Sequence, residues 1–453
     1  MPYLLNLLYL ALVALASPWL LYQAVRNGKY RAGYGEKLFG RVPIRTGDEP
    51  CLWLHAVSVG EVNLLGVLVK ELRRRRPEAR IVVSSTTRTG LELARKKYAD
   101  LMTFYCPLDF SWACRTALRR VRPTALVLAE LELWPNLIRA ANDAGVPVAI
   151  VNGRLSERSW RGYRRLRFFV RGLLQRLALV AVQNEEYAAR FRDLGCDETK
   201  LITTGSLKYD GASTDRANPA TRQLAELAGI QSDEVVFLAG STQVEEEAAA
   251  VETYRTLAAE FPHLRLVIVP RHAERFDDVA RSLAQSGLPF VRRSALSPVV
   301  LNQDAARTRR LSDGDRNMNP ILLVDAIGEL GAWWGTSHVA LVGGSLGSRG
   351  GQNMIEPAAY GAAVSFGPNT QNFRDIVASL LGVDGAVVIH DEDELTAFVR
   401  RCLIEPNFAP ELGKRSQQLV AANLGATART VDALLPLLAS SQQTTHDKSR
   451  RAA

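Results

Sequence analysis

Short apolar runs alternate with longer amphipathic segments along most of this chain, and they do so in two series. In the first, candidate strands at 51–57 (CLWLHAV), 80–85 (RIVVSS), 125–129 (ALVLA), 147–152 (PVAIVN) and 179–183 (LVAVQ) are separated by helical patterns such as 61–76, 88–98, 134–144 and 186–194. The pattern pauses over a polar stretch at 208–232. It then restarts with candidate strands at 235–240, 265–270, 321–324, 338–343 and 363–366. Strands alternating with helices build parallel sheets from βαβ units, and runs that are apolar throughout suit strands buried on both faces. The chain therefore reads as α/β, with two doubly wound domains at about 46–212 and 230–410. A final helix at 409–436 carries the second domain to 436. Residues 300–318 read as a polar surface loop and 440–453 as a disordered tail.

Composition agrees with this. A chain of 453 residues, 47% hydrophobic and 23% charged, is globular rather than disordered, collagen-like or polytopic in a membrane. The net charge of +9 favours anionic partners: phosphates, nucleic acid or an acidic membrane surface. Cys51, Cys106, Cys114, Cys196 and Cys402 form no C-x-x-C pair. That argues against a disulfide framework or a structural zinc site and for a reducing compartment.

Residues 1–25 carry no charged side chain. As a helix, 3–22 would be about 30 Å long, one hydrocarbon core. Arg26, Lys29, Arg31, Lys37, Arg41 and Arg45 follow it. The positive-inside rule then predicts an N-terminal anchor at 1–25, spanning or monotopic, with the remainder cytoplasmic. A cleaved signal peptide, suggested by Ala14-Leu15-Ala16, lacks a positive leading segment.

Residues with chemistry to offer follow the strands. Doubly wound sheets bind ligands beyond the carboxyl ends of their strands, and two such domains facing each other leave a cleft there. In HAVSVGE (55–61), Glu61 opens a helix; the carboxylate either complements the helix dipole or takes a proton from a hydroxyl. In AELELWPN (129–136), Glu130 and Glu132 share a face if the strand continues, so one raises the pKa of the other. Lys208 in GSLKYD (205–210) is either an exposed hinge lysine or a neutraliser of leaving-group charge. Arg271 and His272 in VPRHAERF (269–276) suit a phosphate and a base or ribose. Gly343, Gly344 and Ser345 open a glycine-rich loop with amides to offer a phosphate; Asn353 and Glu356 follow, the first as a helix cap and the second toward a ribose hydroxyl. Asp313-Gly314-Asp315 has no strand before it and reads as loop sequence, so no metal site is expected. Segment 158–176 holds seven Arg and no acid. Its apolar stripe through Tyr163, Leu166, Val170, Leu173 and Leu177 suits a basic helix at anionic headgroups.

HAVSVGE, ELELWPN, NGRLSERS (152–159), QNEEYAARFRDLG (183–195), GSLKYD, PRHAERF, GEL and GGQNMIEPAA occur in this order. Together they resemble the 3-deoxy-D-manno-octulosonic acid (Kdo) transferases of lipopolysaccharide synthesis, over about 1–435. The resemblance implies a GT-B glycosyltransferase, two Rossmann-like domains facing across a cleft, the first for the acceptor and the second for the donor. It implies CMP-Kdo as donor, a lipid A precursor with two phosphates as acceptor, and inverting transfer with no bound catalytic metal or other cofactor. Glu61 matches the family's general base, and Glu130 and Lys208 match positions that stabilise the transition state. Arg271-His272, Ile327-Gly328-Glu329 and Asn353-Met354-Ile355-Glu356 match its CMP-binding segments. Gln352 stands where many relatives carry His. The competing expectations are a GT-B enzyme using a UDP-sugar and a lipid-linked acceptor, and a non-catalytic membrane adaptor that binds nucleotide or nucleic acid through 158–176.

Overall fold

Strand β1 (Cys51–Ala56) has no solvent face: all six of its residues are buried. Cys51 and Trp53 join one core cluster, while Leu52, Leu54 and Ala56 join another on the opposite face. Such a strand belongs inside a parallel sheet covered on both sides. The computed structural model describes residues 2–27, 33–296 and 318–450, with the side chains of residues 2, 20, 21, 24, 27 and 439–450 excepted. It divides into two units, Met1–Gly211 with Leu424–Ala453, and Ala212–Asn423.

The first unit holds β1, β2 (Arg80–Ser85), β3 (Met102–Tyr105), β4 (Ala125–Ala129), β5 (Val148–Gly153), β6 (Leu179–Val182) and β7 (Leu201–Thr203). All its pairings are parallel, in the order β3-β2-β1-β4-β5-β6-β7. The second holds β8 (Val235–Thr242), β9 (Leu264–Pro270), β10 (Phe290–Arg292), β11 (Ile321–Leu323), β12 (Val339–Val342), β13 (Ala363–Phe366) and β14 (Ala386–Val388), parallel in the order β10-β11-β9-β8-β12-β13-β14. The strand order turns back between β1 and β4 in one sheet and between β8 and β12 in the other. Those two places are where doubly wound sheets open a crevice at their carboxyl ends.

The helices used below are α1 (Pro2–Asn27), α2 (Val59–Arg75), α3 (Ser111–Val121), α4 (Pro135–Asp143), α5 (Glu157–Arg165), α6 (Arg167–Leu174), α7 (Val244–Leu257), α8 (Ile355–Ala359) and α9 (Ala426–Arg450). Helices α3, α4 and α6 cover one face of the first sheet through Cys114, Leu137, Ile138 and Leu174. Helix α2 covers the other through Val62, Leu65, Leu68 and Leu72, joined by Val431, Leu434 and Leu438 of α9. All five cysteines are free and buried.

Three expectations are corrected and one condition is settled. The helix at 409–436 is two helices, and the later one, α9, returns to the first unit instead of extending the second to 436. The return is fixed by Asp210, whose carboxylate accepts the amides of Gly425, at 2.6 Å, and Thr427. The 158–176 segment breaks into α5 and α6 at Leu166, which is exposed although it was expected in the apolar stripe. The strand before ELELWPN spans Ala125–Ala129 as its apolar run predicts, and Glu130 then adopts the left-handed region at φ 56°, so the continuation that would put Glu130 and Glu132 on one face does not occur. Lastly, among the described residues no helix is long and apolar enough to cross a membrane, so the spanning anchor is not borne out. Instead α1 docks on the first unit by its polar side chains. Asn6 is buried; its Nδ2 donates to Ser111 Oγ (2.8 Å), and its Oδ1 accepts the Ser111 amide (3.0 Å). Tyr9 Oη donates to Asp109. The loop expected at 300–318, with Asp313 and Asp315, lies outside the described residues except Met318. The expected tail at 440–453 does so too, apart from the helical backbone of α9 to Arg450.

Candidate active site

Glu61 and Glu130 come from the two strands that flank the first sheet's turning point, Glu61 after β1 and Glu130 after β4. Ser58 caps α2, its Oγ accepting the Glu61 amide at 3.4 Å and donating to Glu61 Oε1 at 2.8 Å. Val57 N–H donates to Oε2 at 2.8 Å. The carboxylate is therefore both a capping group and a buried acid. Burial raises its pKa above the ordinary value, the bonds from Val57 and Ser58 oppose the rise, and the charge of Glu130 adds to it. Each oxygen spends one lone pair on these bonds and keeps another.

Glu132 is the second perturbed acid of the loop. Its Oε2 accepts a bond from Trp134 Nε1 at 2.9 Å. Burial first, and then the charge of Glu61, push it up to about 7. The expected pairing of Glu130 with Glu132 is thus a cluster of three carboxyl groups that includes Glu61, and nothing in the residue order ranks Glu132 above Glu130. His55, which opens the HAVSVGE motif, is wholly buried. Its Nδ1 lies 2.9 Å from Ser84 Oγ, and burial lowers its pKa to about 4, so it stays neutral.

Lys208 lies in the turn after β7, and its position depends on a residue that sequence reasoning passed over. Asn152, next to last in β5, lies in the left-handed region at φ 55°, is fully buried, and accepts the Leu207 amide on Oδ1 at 3.0 Å. The available signal was an Asn-Gly pair closing a strand, which tolerates that conformation.

In the second unit, the segments after β8, β9 and β12 meet at the turning point of the sheet. Arg271 follows β9, donates its amide to the Thr242 carbonyl at 3.2 Å and keeps its side chain exposed. His272 beside it is half-buried, 3.9 Å from Glu274. Glu356 accepts Asn353 Nδ2 on Oε1 at 2.9 Å; burial raises its pKa, and Asn353 and the Arg271 charge oppose the rise. Gly343 lies so close to the backbone of Ser241 that a Cβ there would meet its carbonyl oxygen at 2.4 Å. Gly344 is left-handed at φ 67°.

Several residues expected at the donor are engaged by partners within the second unit. Ser345 is fully buried. Its hydroxyl donates to the Val342 carbonyl and accepts the Gly367 amide. Its own amide and that of Leu346 donate to Glu246 Oε1 at 3.0 and 2.9 Å. Glu246, a fully buried residue of α7 that the sequence did not single out, thus takes amides expected to serve a phosphate. Met354 and Ile355 turn their side chains into the core. Asn353 accepts the Ile355 amide at 3.2 Å at the start of the short α8, which runs through Glu356. Glu329 is held by Arg293 through two bonds of 3.0 and 2.8 Å and by Trp333 Nε1 at 3.2 Å. What the second unit still presents is Arg271, His272, the Asn353–Glu356 pair and the exposed Ile327-Gly328 turn.

A family model described as 3-Deoxy-D-manno-octulosonic-acid transferase (kdotransferase) matches residues 31–211. The 3-deoxy-D-manno-octulosonic acid transferase of Haemophilus influenzae is 31% identical over 92% of this chain and 93% of its own length. This chain belongs to the Kdo transferase family. The transferase of Bordetella pertussis is 32% identical over 92% of this chain and 94% of its own. Kdo transferases are glycosyltransferases of lipopolysaccharide biosynthesis. Among solved structures, the UDP-GlcNAc 2-epimerase of Neisseria meningitidis covers 85% of this chain and 100% of that one with a TM-score of 0.53. At 15% identity that likeness speaks for the fold alone, two parallel-sheet α/β domains of the GT-B-like kind.

Proposed function

We propose that this Kdo transferase moves Kdo from CMP-Kdo to a lipid A precursor bearing two phosphates, with inversion and without a bound catalytic metal. The observation that carries the reading is Glu61. It is a carboxylate at the sheet's turning point, made more basic by burial and by the neighbouring charge of Glu130. A hydroxyl of the acceptor sugar loses its proton to Glu61 as its oxygen bonds to the anomeric carbon of Kdo. The bond from that carbon to the CMP phosphate breaks, and the carbon passes through a state with oxocarbenium character. Glu130 and Lys208 stabilise that state in the first unit. Arg271 meets the departing phosphate, and His272, Ile327, Gly328, Gly344, Asn353 and Glu356 hold the nucleotide in the second.

Features of the first unit support a location at a membrane surface. Leu4, Leu7, Leu8, Leu15, Trp19 and Tyr22 of α1 are exposed, and so is Phe168 in the Arg-rich run of α5 and α6. An exposed apolar helix near a basic one suits the cytoplasmic face of the inner membrane, with α1 lying in the interface.

The test is transfer by the detergent-extracted full chain, with CMP-Kdo, the lipid A precursor and EDTA, for wild type beside Glu61→Gln. Glutamine retains the cap but cannot take the proton. Turnover is expected to fall by roughly 10²–10⁴, the usual contribution of a general base, while CMP still raises the melting temperature. A variant retaining most of the wild-type turnover sinks the base assignment. Stabilisation by UDP and not CMP sinks the donor.

A further inference from the structure

A cavity of about 520 Å³ lies within the first unit, inside the roughly 300–1,000 Å³ span of small-molecule sites. Helix α1 forms one wall with Tyr9, Leu12 and Val13, and the loop between β4 and α4 forms another with Leu131, Leu133 and Trp134. Its polar lining groups are turned toward one another. Tyr9 Oη donates to Asp109 at 3.1 Å, and Asp109 also accepts the Asn136 and Leu137 amides at 3.0 and 2.9 Å. Trp134 Nε1 is spent on Glu132. The surface offered to an occupant is therefore largely hydrocarbon.

We propose that this cavity receives an acyl chain of the lipid acceptor, an assignment that rests on the reading given under Proposed function. Three observations favour that occupant. The α1 wall is continuous with an exposed apolar helix, since Leu12 and Val13, which line the space, are themselves exposed at its rim, as Leu8 and Leu15 are beside them. A chain leaving a bilayer along α1 would reach the cavity without crossing water. Tyr163 brings α5 to the same cavity, and that helix supplies Arg161, Arg164 and Arg165, which complement a phosphorylated headgroup. Finally, Glu132 forms part of the wall, and its ionisation responds to the charge of Glu61. A chain seated there would set its sugar near the proposed base.

The experiment fills the cavity in the full-length, detergent-extracted protein with Val13→Trp and uses Leu15→Trp, on the exposed side, as control. Two acceptors are compared, the acylated precursor and its deacylated sugar bisphosphate. Val13→Trp is expected to raise KM for the acylated acceptor at least tenfold. KM for CMP-Kdo and transfer to the deacylated acceptor should stay unchanged, and Leu15→Trp should alter nothing. Independently of turnover, diazirine-labelled myristate should photolabel α1 or residues 131–134 of wild type and not of Val13→Trp. A variant with the wild-type melting temperature and an unchanged KM for the acylated acceptor overturns the proposal, as does an equal loss with both acceptors. Labelling of a wild type that transfers nothing upholds an alkyl site and overturns the acceptor reading. Transfer by a wild type that is neither labelled nor impaired by Val13→Trp overturns the cavity assignment alone.

Discussion

Glu61 does two jobs that pull its chemistry in opposite directions. As a cap it accepts hydrogen bonds that favour the charged form; as a buried acid near Glu130 it is pushed toward the neutral form. The net direction is upward, so protonation silences it at a higher pH than an ordinary glutamate, and the rate should fall as pH drops through that raised value. Removing the Glu130 charge relieves part of the rise. Glu130→Gln should therefore move the acid limb of the kcat/KM profile to lower pH in addition to slowing turnover; a limb that stays in place would show that the two carboxylates do not interact. In the second unit, Glu246→Ala strips three backbone amides, those of Gln243, Ser345 and Leu346, of their acceptor. At about 1–3 kcal/mol for each unsatisfied buried group, the glycine loop should loosen, and calorimetry should show a lower melting temperature with weaker stabilisation by CMP. Glu61 was legible because a strand, a tight turn and a helix start stand in order around it. Glu246 was not, because a glutamate among three in a first helical turn looks like any dipole-complementing acid until its fully buried position is known.

At the scale of elements, the ten strands read from apolar runs are all interior. The four passed over, β3, β7, β10 and β14, are the outermost strands of the two sheets. Their residues are mostly half-buried or exposed and three or four in number. They lack the run of consecutive apolar residues that two covered faces impose. Helix α1 was misjudged for a different reason. Hydropathy sums over a window, and one asparagine hardly moves the sum, yet Asn6 bonds to Ser111 and Asn136 and so ties the helix to α3 and α4. Asp109 completes that junction. Asp109→Asn keeps the size of the side chain, but its nitrogen cannot accept, so an amide at the start of α4 loses its partner. The expected cost is about 1–3 kcal/mol, read in a denaturant titration of the full chain, with a smaller change if Tyr9 alone becomes Phe, since both amides then keep Asp109 as their acceptor.

For the molecule as a whole, the first unit is built from both ends of the chain and the second from the middle. Val431, Leu434 and Leu438 of α9 fill the core beneath α2, the helix that Glu61 opens. Ending the chain after Asn423 should therefore damage the first unit, although the lost residues follow the second. The expected result is a lowered first-unit melting transition and no transfer, with partial rescue by a separate 424–453 peptide. Residues 212–423 should fold alone and still be stabilised by CMP. If the shortened chain melts like the full one, α9 adds nothing to that core.

The hydrogen bonds from Gly425 and Thr427 to Asp210 have a consequence for how the protein is made. Lys208 stands two residues before Asp210, and both wait on residues that leave the ribosome more than two hundred positions later. The middle unit can fold as a guest while its host remains open. The turn carrying Lys208 is secured only when the final helix arrives, so, on the proposed reading, a nascent or prematurely ended chain would hold nucleotide without spending it.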